Sequence, residues 1–109
     1  MNKPRAVEKQ LPLTEATFYI LVALMKPQHG YAVMQDVELM SEGTVKLGPG
    51  TLYGALTNLE KSKMIRKVGE VDRRKIYVIT EFGQEVLDGQ VNRLKVMVRC
   101  TAKKRNTAS

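Results

Sequence analysis

The chain has 109 residues, 43% of them hydrophobic and 27% charged, which is the composition of a single ordinary globular domain. One cysteine excludes an internal disulfide and a thiolate metal cage, and the longest apolar run, residues 18–25, is too short to span a bilayer. The net charge of +7 is clustered: residues 46–79 hold eight basic and three acidic groups, whereas residues 1–45 hold four and five. Such clustering is typical of a polyanion-binding surface, although it would also serve solubility.

The first elements are an arm and a buried helix. Residues 1–10 are polar without clear periodicity, which predicts a flexible arm. Thr14 is a good N-cap with Glu15 behind it, so a helix is predicted to run to about Met25 and to end before Pro27. The second half of this helix is apolar on nearly all sides. A monomer of this size has hardly enough protein to cover it, which predicts a dimer.

Two more helices follow. A turn is predicted at His29 and Gly30, where the histidine is expected to cap or pack, and a second helix covers residues 31–40. The third helix is predicted from Pro49 to about Lys63, because apolar residues recur there at helical spacing. Its core-facing stripe is Leu52, Ala55, Leu56 and Leu59.

Two alternating segments, residues 64–68 and 75–79, predict a β-hairpin with a charged loop between them. Thr80 is expected to cap a last helix, which carries apolar residues at coiled-coil spacing. The predicted fold is mainly α with a small β-hairpin (α+β). It has a flexible arm at 1–10, a winged helix-turn-helix at 11–79, a dimerisation helix at 80–102 and a disordered basic tail at 103–109.

The stretch Gly48-Pro49-Gly50 indicates how the third helix is used. Proline suits a first turn, and a helix start free of bulky side chains leaves its unpaired amides open to a phosphate. The outer face of the helix is polar and has no acid before Glu60, which suits the major groove of DNA. Gly54 lowers helix propensity on that face, which indicates close approach of a partner if the glycine is not merely tolerated.

The hairpin tip and the arm supply further cations. Arg73, Arg74 and Lys75 are expected to meet phosphates or a minor groove, and Lys3 and Arg5 could enter a minor groove from the arm. The predicted DNA-binding residues are Lys46, Gly48, Pro49, Gly50, Thr51, Tyr53, Gly54, Thr57, Asn58, Lys61, Arg73, Arg74 and Lys75.

A second set of apolar residues is predicted to form either the dimer core or a pocket for a hydrophobic molecule, to which methionine is well suited. Cys100, on the last helix, is either inert packing or an oxidation sensor. The predicted dimer or pocket residues are Phe18, Leu21, Val22, Met25, Leu87, Val91, Leu94, Met97 and Val98.

Three stretches, residues 13–37, 47–65 and 72–87, together resemble the PadR family of bacterial transcriptional regulators. The resemblance covers about residues 11–100. The matching positions are Gly30-Tyr31, Gly50 to Tyr53, Arg74, Lys75, Tyr77, Thr80 and Gly83.

The resemblance implies a homodimeric winged-helix repressor whose recognition helix and wing grip an inverted repeat and whose last helix dimerises. The chain is similar in length to a short subfamily that includes a multidrug sensor, in which tryptophans of the last helix help to form a drug pocket. This sequence has no tryptophan, and Leu94 takes the matching place.

We therefore expect a cytoplasmic, sequence-specific regulator of transcription that binds double-stranded DNA as a homodimer and is released by a hydrophobic effector. The sequence predicts no enzyme, cofactor, metal site or membrane contact, because it has no catalytic triad, metal-ligand cluster or phosphate loop with its lysine. Two alternatives stay open: a winged-helix protein-interaction module, and a nonspecific DNA-packaging protein.

Overall fold

A computed structural model describes residues 3–108 as five helices and three strands. The winged-helix prediction is confirmed, with helices surrounding a small antiparallel sheet in the order β1-β3-β2. The elements are α1 (Lys3–Lys9), α2 (Glu15–Ala23), β1 (Gln28–His29), α3 (Gly30–Met40), α4 (Pro49–Lys61), β2 (Ile65–Val71), β3 (Arg74–Ile79) and α5 (Glu81–Ala108).

Three helices begin where the sequence predicts a cap. The side chains of Thr14, His29 and Thr80 each accept a hydrogen bond from the backbone N–H three residues later, at 3.1, 3.3 and 3.0 Å. These bonds satisfy amides that the first turn of a helix cannot pair internally. The predicted capping role of the only histidine is thereby confirmed.

The hydrophobic core corrects one prediction. The apolar second half of α2, with Ile20, Leu21 and Leu24, is fully buried inside this one chain. It is covered by the inner face of α4, by α3 and by the first half of α5, so a second subunit is not required there. The argument from α2 to a dimer was therefore wrong, because three other helices of the same chain pack around its apolar half.

The sheet has one strand more than predicted. Gln28 and His29 form β1 and pair with Tyr77 and Ile76 of β3, although a turn was predicted at His29 and Gly30. The hairpin is also longer than predicted, because β2 reaches Val71 after an irregularity between Lys67 and Gly69. This hairpin, residues 65–79, is called the wing below.

The turn of the wing consists of two residues, Asp72 and Arg73. Both have positive φ, 50° and 65°, which is the backbone of the tight turn whose twist matches that of paired strands. Glycine or asparagine would adopt this conformation at lower cost.

The wing is joined to α5 through Thr80. Its hydroxyl donates to the carbonyl of Lys63 at 2.7 Å, and its N–H donates to the carbonyl of Met64 at 3.0 Å. A Cβ at Gly83 would collide with that second carbonyl. Threonine and glycine three residues apart therefore let α5 start directly against the end of α4.

Both ends of the chain are more ordered than predicted. Residues 3–9 form α1, which packs on α5, where the sequence predicted a flexible arm. The contact runs through Val7 and Leu11, and a Cβ at Gly89 would lie 3.0 Å from the Leu11 Cδ1 atom. Gly89 thus gives α1 room, and α5 continues through it. Residues 1, 2 and 109 of the predicted arm and tail lie outside the described range.

The predicted basic tail is also helical. α5 runs for 28 residues to Ala108, a length of about 42 Å. Its first half is packed into the domain, whereas every residue from 92 to 107 is exposed. Among the described residues, no helix is both long and apolar enough to cross a bilayer.

Candidate nucleic-acid interface

The outer face of α4 is the centre of the candidate interface. Leu52, Leu56 and Leu59 are buried, which confirms the predicted core stripe of the helix. The polar residues between them are exposed. All thirteen predicted DNA-binding residues, on α4, on the wing and at Lys46, are exposed in the same way.

The start of α4 is open. Gly48 is the N-cap and makes no side-chain capping bond, Pro49 follows, and the first turn has no acid. No side-chain capping bond therefore occupies the unpaired amides of this turn. They lie at the positive end of the helix dipole, where an anion is stabilised.

A cleft, called the wing cleft below, separates α4 from the wing. Its volume is about 320 Å³. Three cations stand along it, and none of the described residues that line it is acidic. The lining residues are Gly30, Tyr53, Leu56, Thr57, Arg73, Arg74, Lys75 and Tyr77.

The other flank of α4 has a different chemistry. A groove of about 500 Å³, called the threonine groove below, lies between α4 and the N-terminal turn of α2. Its described lining carries hydroxyl and amide groups and no ionisable side chain. The polar and glycine lining residues are Gln10, Thr14, Thr17, Gly50, Thr51, Gly54, Asn58 and Ser62.

α4 thus divides its predicted DNA-binding residues between two flanks. Tyr53 and Thr57 line the wing cleft, whereas Thr51, Gly54 and Asn58 line the threonine groove. Lys46 and Lys61 line neither, although both are exposed nearby in the sequence.

Aromatic contacts hold the wing cleft in shape. The guanidinium carbon of Arg74 lies 5.9 Å from the ring centroid of Tyr31, at the start of α3. The ring of Tyr53 lies over Gly30, where an added Cβ would come within 2.9 Å of it. The Gly30-Tyr31 pair therefore lies against one residue of α4 and one of the wing.

Tyr77 forms part of the cleft and was missed from the sequence as a site residue. It is 8% exposed, and burial raises the pKa of its hydroxyl above the ordinary value of 10.0. Glu60 adds to the rise in pKa and Lys67 opposes it. The alternation of β3 puts Tyr77 on the same face as Lys75, which is the signal that could have identified it.

The helix that carries the basic residues of the predicted arm is not part of the candidate interface. Arg5 is exposed on α1, a helix that packs against α5, so the proposed flexible entry into a minor groove does not match the structure. The side chain of Lys3 lies outside the described part of the chain. Thr14 and Thr17, which line the threonine groove, were not predicted as site residues, and Thr14 was predicted only as a helix cap.

The predicted dimer or pocket residues divide into three groups. Leu21 and Leu87 are buried in the core of the single chain and are not available to a partner, which corrects their prediction. Phe18, Leu94 and Met97 line a common cleft of about 370 Å³ beside Gln90, as a pocket would require. The others are half-buried, Val22 and Val91, or exposed, Met25 and Val98.

The sequence model of the PadR-like family of transcriptional regulators matches residues 20–89, from α2 into α5. The chain belongs to this family. Its members regulate transcription and are not enzymes. The matched residues include the winged helix, which is the DNA-binding part of these regulators. The resemblance noted in the sequence is thereby confirmed.

A curated relative, described as an uncharacterised 37.1 kDa protein in transposon TN4556 of Streptomyces fradiae, is 37% identical over 79 residues. The aligned segment is 72% of this chain and 22% of the relative, so the chain spans less than a quarter of the relative's length.

Solved structures share the PadR fold. A PadR family transcription regulator from Clostridium difficile R20291 has a TM-score of 0.70 at 20% identity, over 83% of this chain and 97% of its own. A transcriptional regulator from Clostridium thermocellum has a TM-score of 0.68 at 22% identity, over 82% and 87%. A PadR family regulator from Eggerthella lenta has 0.67 at 20% identity, over 95% and 88%.

Proposed function

We propose that this PadR-like protein is a cytoplasmic repressor that binds an inverted-repeat operator as a homodimer. The observation that supports this most directly is the exposed polar face of α4, with its open N-terminus, beside three wing cations and no lining acid. The α4 helices of two protomers would enter successive major grooves about 34 Å apart, while the wings hold the flanking backbone.

The contacts of α4 divide by type. The amides of its first turn, with Thr51, suit a phosphate, and Asn58 suits an adenine edge in the major groove. Arg73, Arg74 and Lys75 suit backbone phosphates or a narrow minor groove.

The test is a binding selection from fragmented host DNA at physiological salt, followed by sequencing of the retained fragments. We expect recovery of a short inverted repeat near a promoter, and reduced transcription from a reporter that carries it. Uniform recovery of all fragments would favour nonspecific packaging. Recovery of none would favour a protein-interaction module.

The exposed half of α5 supports the proposed dimer. Leu94, Met97 and Val98 continue the face by which α5 packs on its own domain, but the chain covers them only in part, since they are 38%, 51% and 67% exposed. A second α5 at coiled-coil spacing would bury it.

Two matched substitutions test the dimer. Val98 and Val96 are both exposed valines of α5, two residues apart and therefore on opposite sides of the helix. Val98→Lys would put like charges into the proposed seam, so we expect monomers in sedimentation and at least tenfold weaker operator binding, with an unchanged helical circular dichroism spectrum. Val96→Lys should stay dimeric. Dimeric Val98→Lys would contradict the seam.

The cleft of Phe18, Leu94 and Met97 supports a hydrophobic effector between the protomers. Its volume of about 370 Å³ lies in the lower range of small-molecule sites. An effector bound there would release DNA only if it binds better to a dimer whose two α4 helices are wrongly spaced.

A further inference from the structure

The hydroxyl of Tyr77 belongs to a buried residue and makes none of the described hydrogen bonds. The residue lies in the centre of β3 and is 8% exposed. Its hydroxyl has no hydrogen-bond partner among the described residues, and none of their side-chain polar atoms is both sealed from solvent and unpaired. The hydroxyl of this lining residue therefore opens into the wing cleft.

The surroundings of this hydroxyl suit an anion. Arg73, Arg74 and Lys75 line the same cleft, and the guanidinium carbon of Arg74 lies 5.9 Å from the centroid of the Tyr31 ring. Two further charges act on the Tyr77 hydroxyl, since Glu60 raises its pKa and Lys67 lowers it. Thr57 also reaches the cleft, but its hydroxyl proton is committed to the carbonyl of Tyr53 at 2.9 Å. Tyr53 and Tyr77 are thus the neutral hydroxyl donors of the cleft that have no described hydrogen-bond partner, and of the two Tyr77 is the buried residue, 8% exposed against 52%.

We propose that the wing cleft seats one phosphate group of the DNA backbone and that the Tyr77 hydroxyl donates a hydrogen bond to a phosphate oxygen. This rests on the proposed function, because the phosphate belongs to the bound operator. The cations neutralise the phosphate, whereas the rigid buried ring fixes its distance from the axis of α4. Long arginine and lysine side chains alone would hold it less precisely in place.

The protonation of Tyr77 is consistent with this role. Burial raises the pKa of the hydroxyl, so the group stays a donor at every pH at which the cell works. The cleft, at about 320 Å³, holds a phosphate group with part of its sugar. A free phosphorylated ligand offers the same chemistry, and the test separates the two sources.

The first experiment compares Tyr77→Phe with wild-type protein on the selected operator over a series of salt concentrations. We expect about tenfold weaker binding for each protomer, because a hydrogen bond to a charged group is lost. The salt slope should not change, since no cation is removed. The thermal midpoint should be nearly unchanged, because the lost hydroxyl opens into the cleft and makes no hydrogen bond within the described chain. Tyr19→Phe, on α2 and outside the cleft, should bind like wild type.

The second experiment locates the phosphate. Single operator phosphates are replaced by neutral methylphosphonates, and each is measured with wild type and Tyr77→Phe as a double-mutant cycle. One position per half-site should weaken wild type and have little further effect on the variant. The absence of any coupled position, or equal operator binding by wild type and Tyr77→Phe, would overturn the proposal.

Two other outcomes are distinguishable. If wild-type protein selects no DNA, the proposed function fails and the backbone phosphate fails with it. If inorganic phosphate or a mononucleotide, added at constant ionic strength, displaces the operator from wild type more strongly than from Tyr77→Phe, the cleft takes a free ligand and the assignment to DNA is wrong.

Discussion

The two flanks of α4 differ in the kind of interaction that each can make with a polyanion. The wing cleft carries Arg73, Arg74 and Lys75, with one buried hydroxyl at Tyr77. The threonine groove carries hydroxyl and amide groups, with no ionisable residue among its described lining. Charged contacts depend strongly on salt, whereas neutral hydrogen bonds and close approach do not. We therefore expect contacts with a polyanion to depend strongly on salt on the wing-cleft side of α4 and only weakly on the threonine-groove side.

This difference follows from what each flank is built on. The wing is a hairpin whose tip projects beyond the core, so long basic side chains reach outward without desolvation. The threonine groove lies between two helices, α2 and α4, and offers short side chains and the exposed backbone of Gly50 and Gly54. Short groups on rigid helices specify distance, whereas long charged groups on a hairpin supply attraction.

The largest expected effect on operator binding comes from the wing cleft, which is the charged flank of α4. Replacing Arg73 and Arg74 together by alanine should weaken operator binding about a hundredfold or more at physiological salt. The slope of log affinity against log salt should fall by about 1.8 for each protomer, because each lost phosphate contact contributes about 0.9. Fluorescence anisotropy over a salt series measures both quantities.

The matched control removes the same charge elsewhere. Lys103 and Lys104 are exposed near the end of α5 and line neither flank of α4. Replacing both by alanine should change the affinity much less. Equal losses in the two variants would show that net charge, and not the wing, provides the attraction.

The elements that could be predicted from sequence are those with local signals. Thr14, His29 and Thr80 cap helices through bonds only three residues long, and α4 shows its core stripe in its own periodicity. The open helix start at Gly48 and the basic wing tip can likewise be identified from short stretches of consecutive residues. The family motifs repeat these signals in order.

The features that could not be predicted depend on partners distant in sequence. Val7 and Leu11 order α1 by packing on α5 near Gly89, about 80 residues away in the chain. The polar residues around them hide this apolar contact in the sequence. β1 exists because β3 offers Gln28 and His29 a free edge. Leu21 and Leu87 would show the same apolar spacing whether they packed in the core of their own chain or against a partner. The spacing therefore could not predict which of the two surfaces buries them.

Gly54→Ala tests the neutral flank and should have a smaller effect. The position is exposed and nothing lies within 4 Å of an added Cβ, so the protein should gain about 1 kcal/mol of stability from helix propensity. If DNA approaches the backbone there, the methyl group should weaken operator binding by about tenfold without changing the salt slope. Urea unfolding and the anisotropy series measure the two effects. Unchanged affinity in the stabilised variant would mean that Gly54 is only tolerated.

The smallest expected effect is on the stability of the protein without DNA, and it concerns Tyr77 in the wing cleft. Because burial raises the pKa of Tyr77 above 10.0, the folded protein keeps this proton over a pH range in which the unfolded chain has lost it. The stability that the neutral hydroxyl contributes is thus fully present below pH 10 and is lost as the pH rises through the folded pKa. Urea midpoints of wild type should therefore fall more steeply than those of Tyr77→Phe above that pH. Parallel curves for the two proteins would mean that burial does not raise the pKa of this hydroxyl, and the cleft would then lack the partly desolvated donor that distinguishes it from the threonine groove.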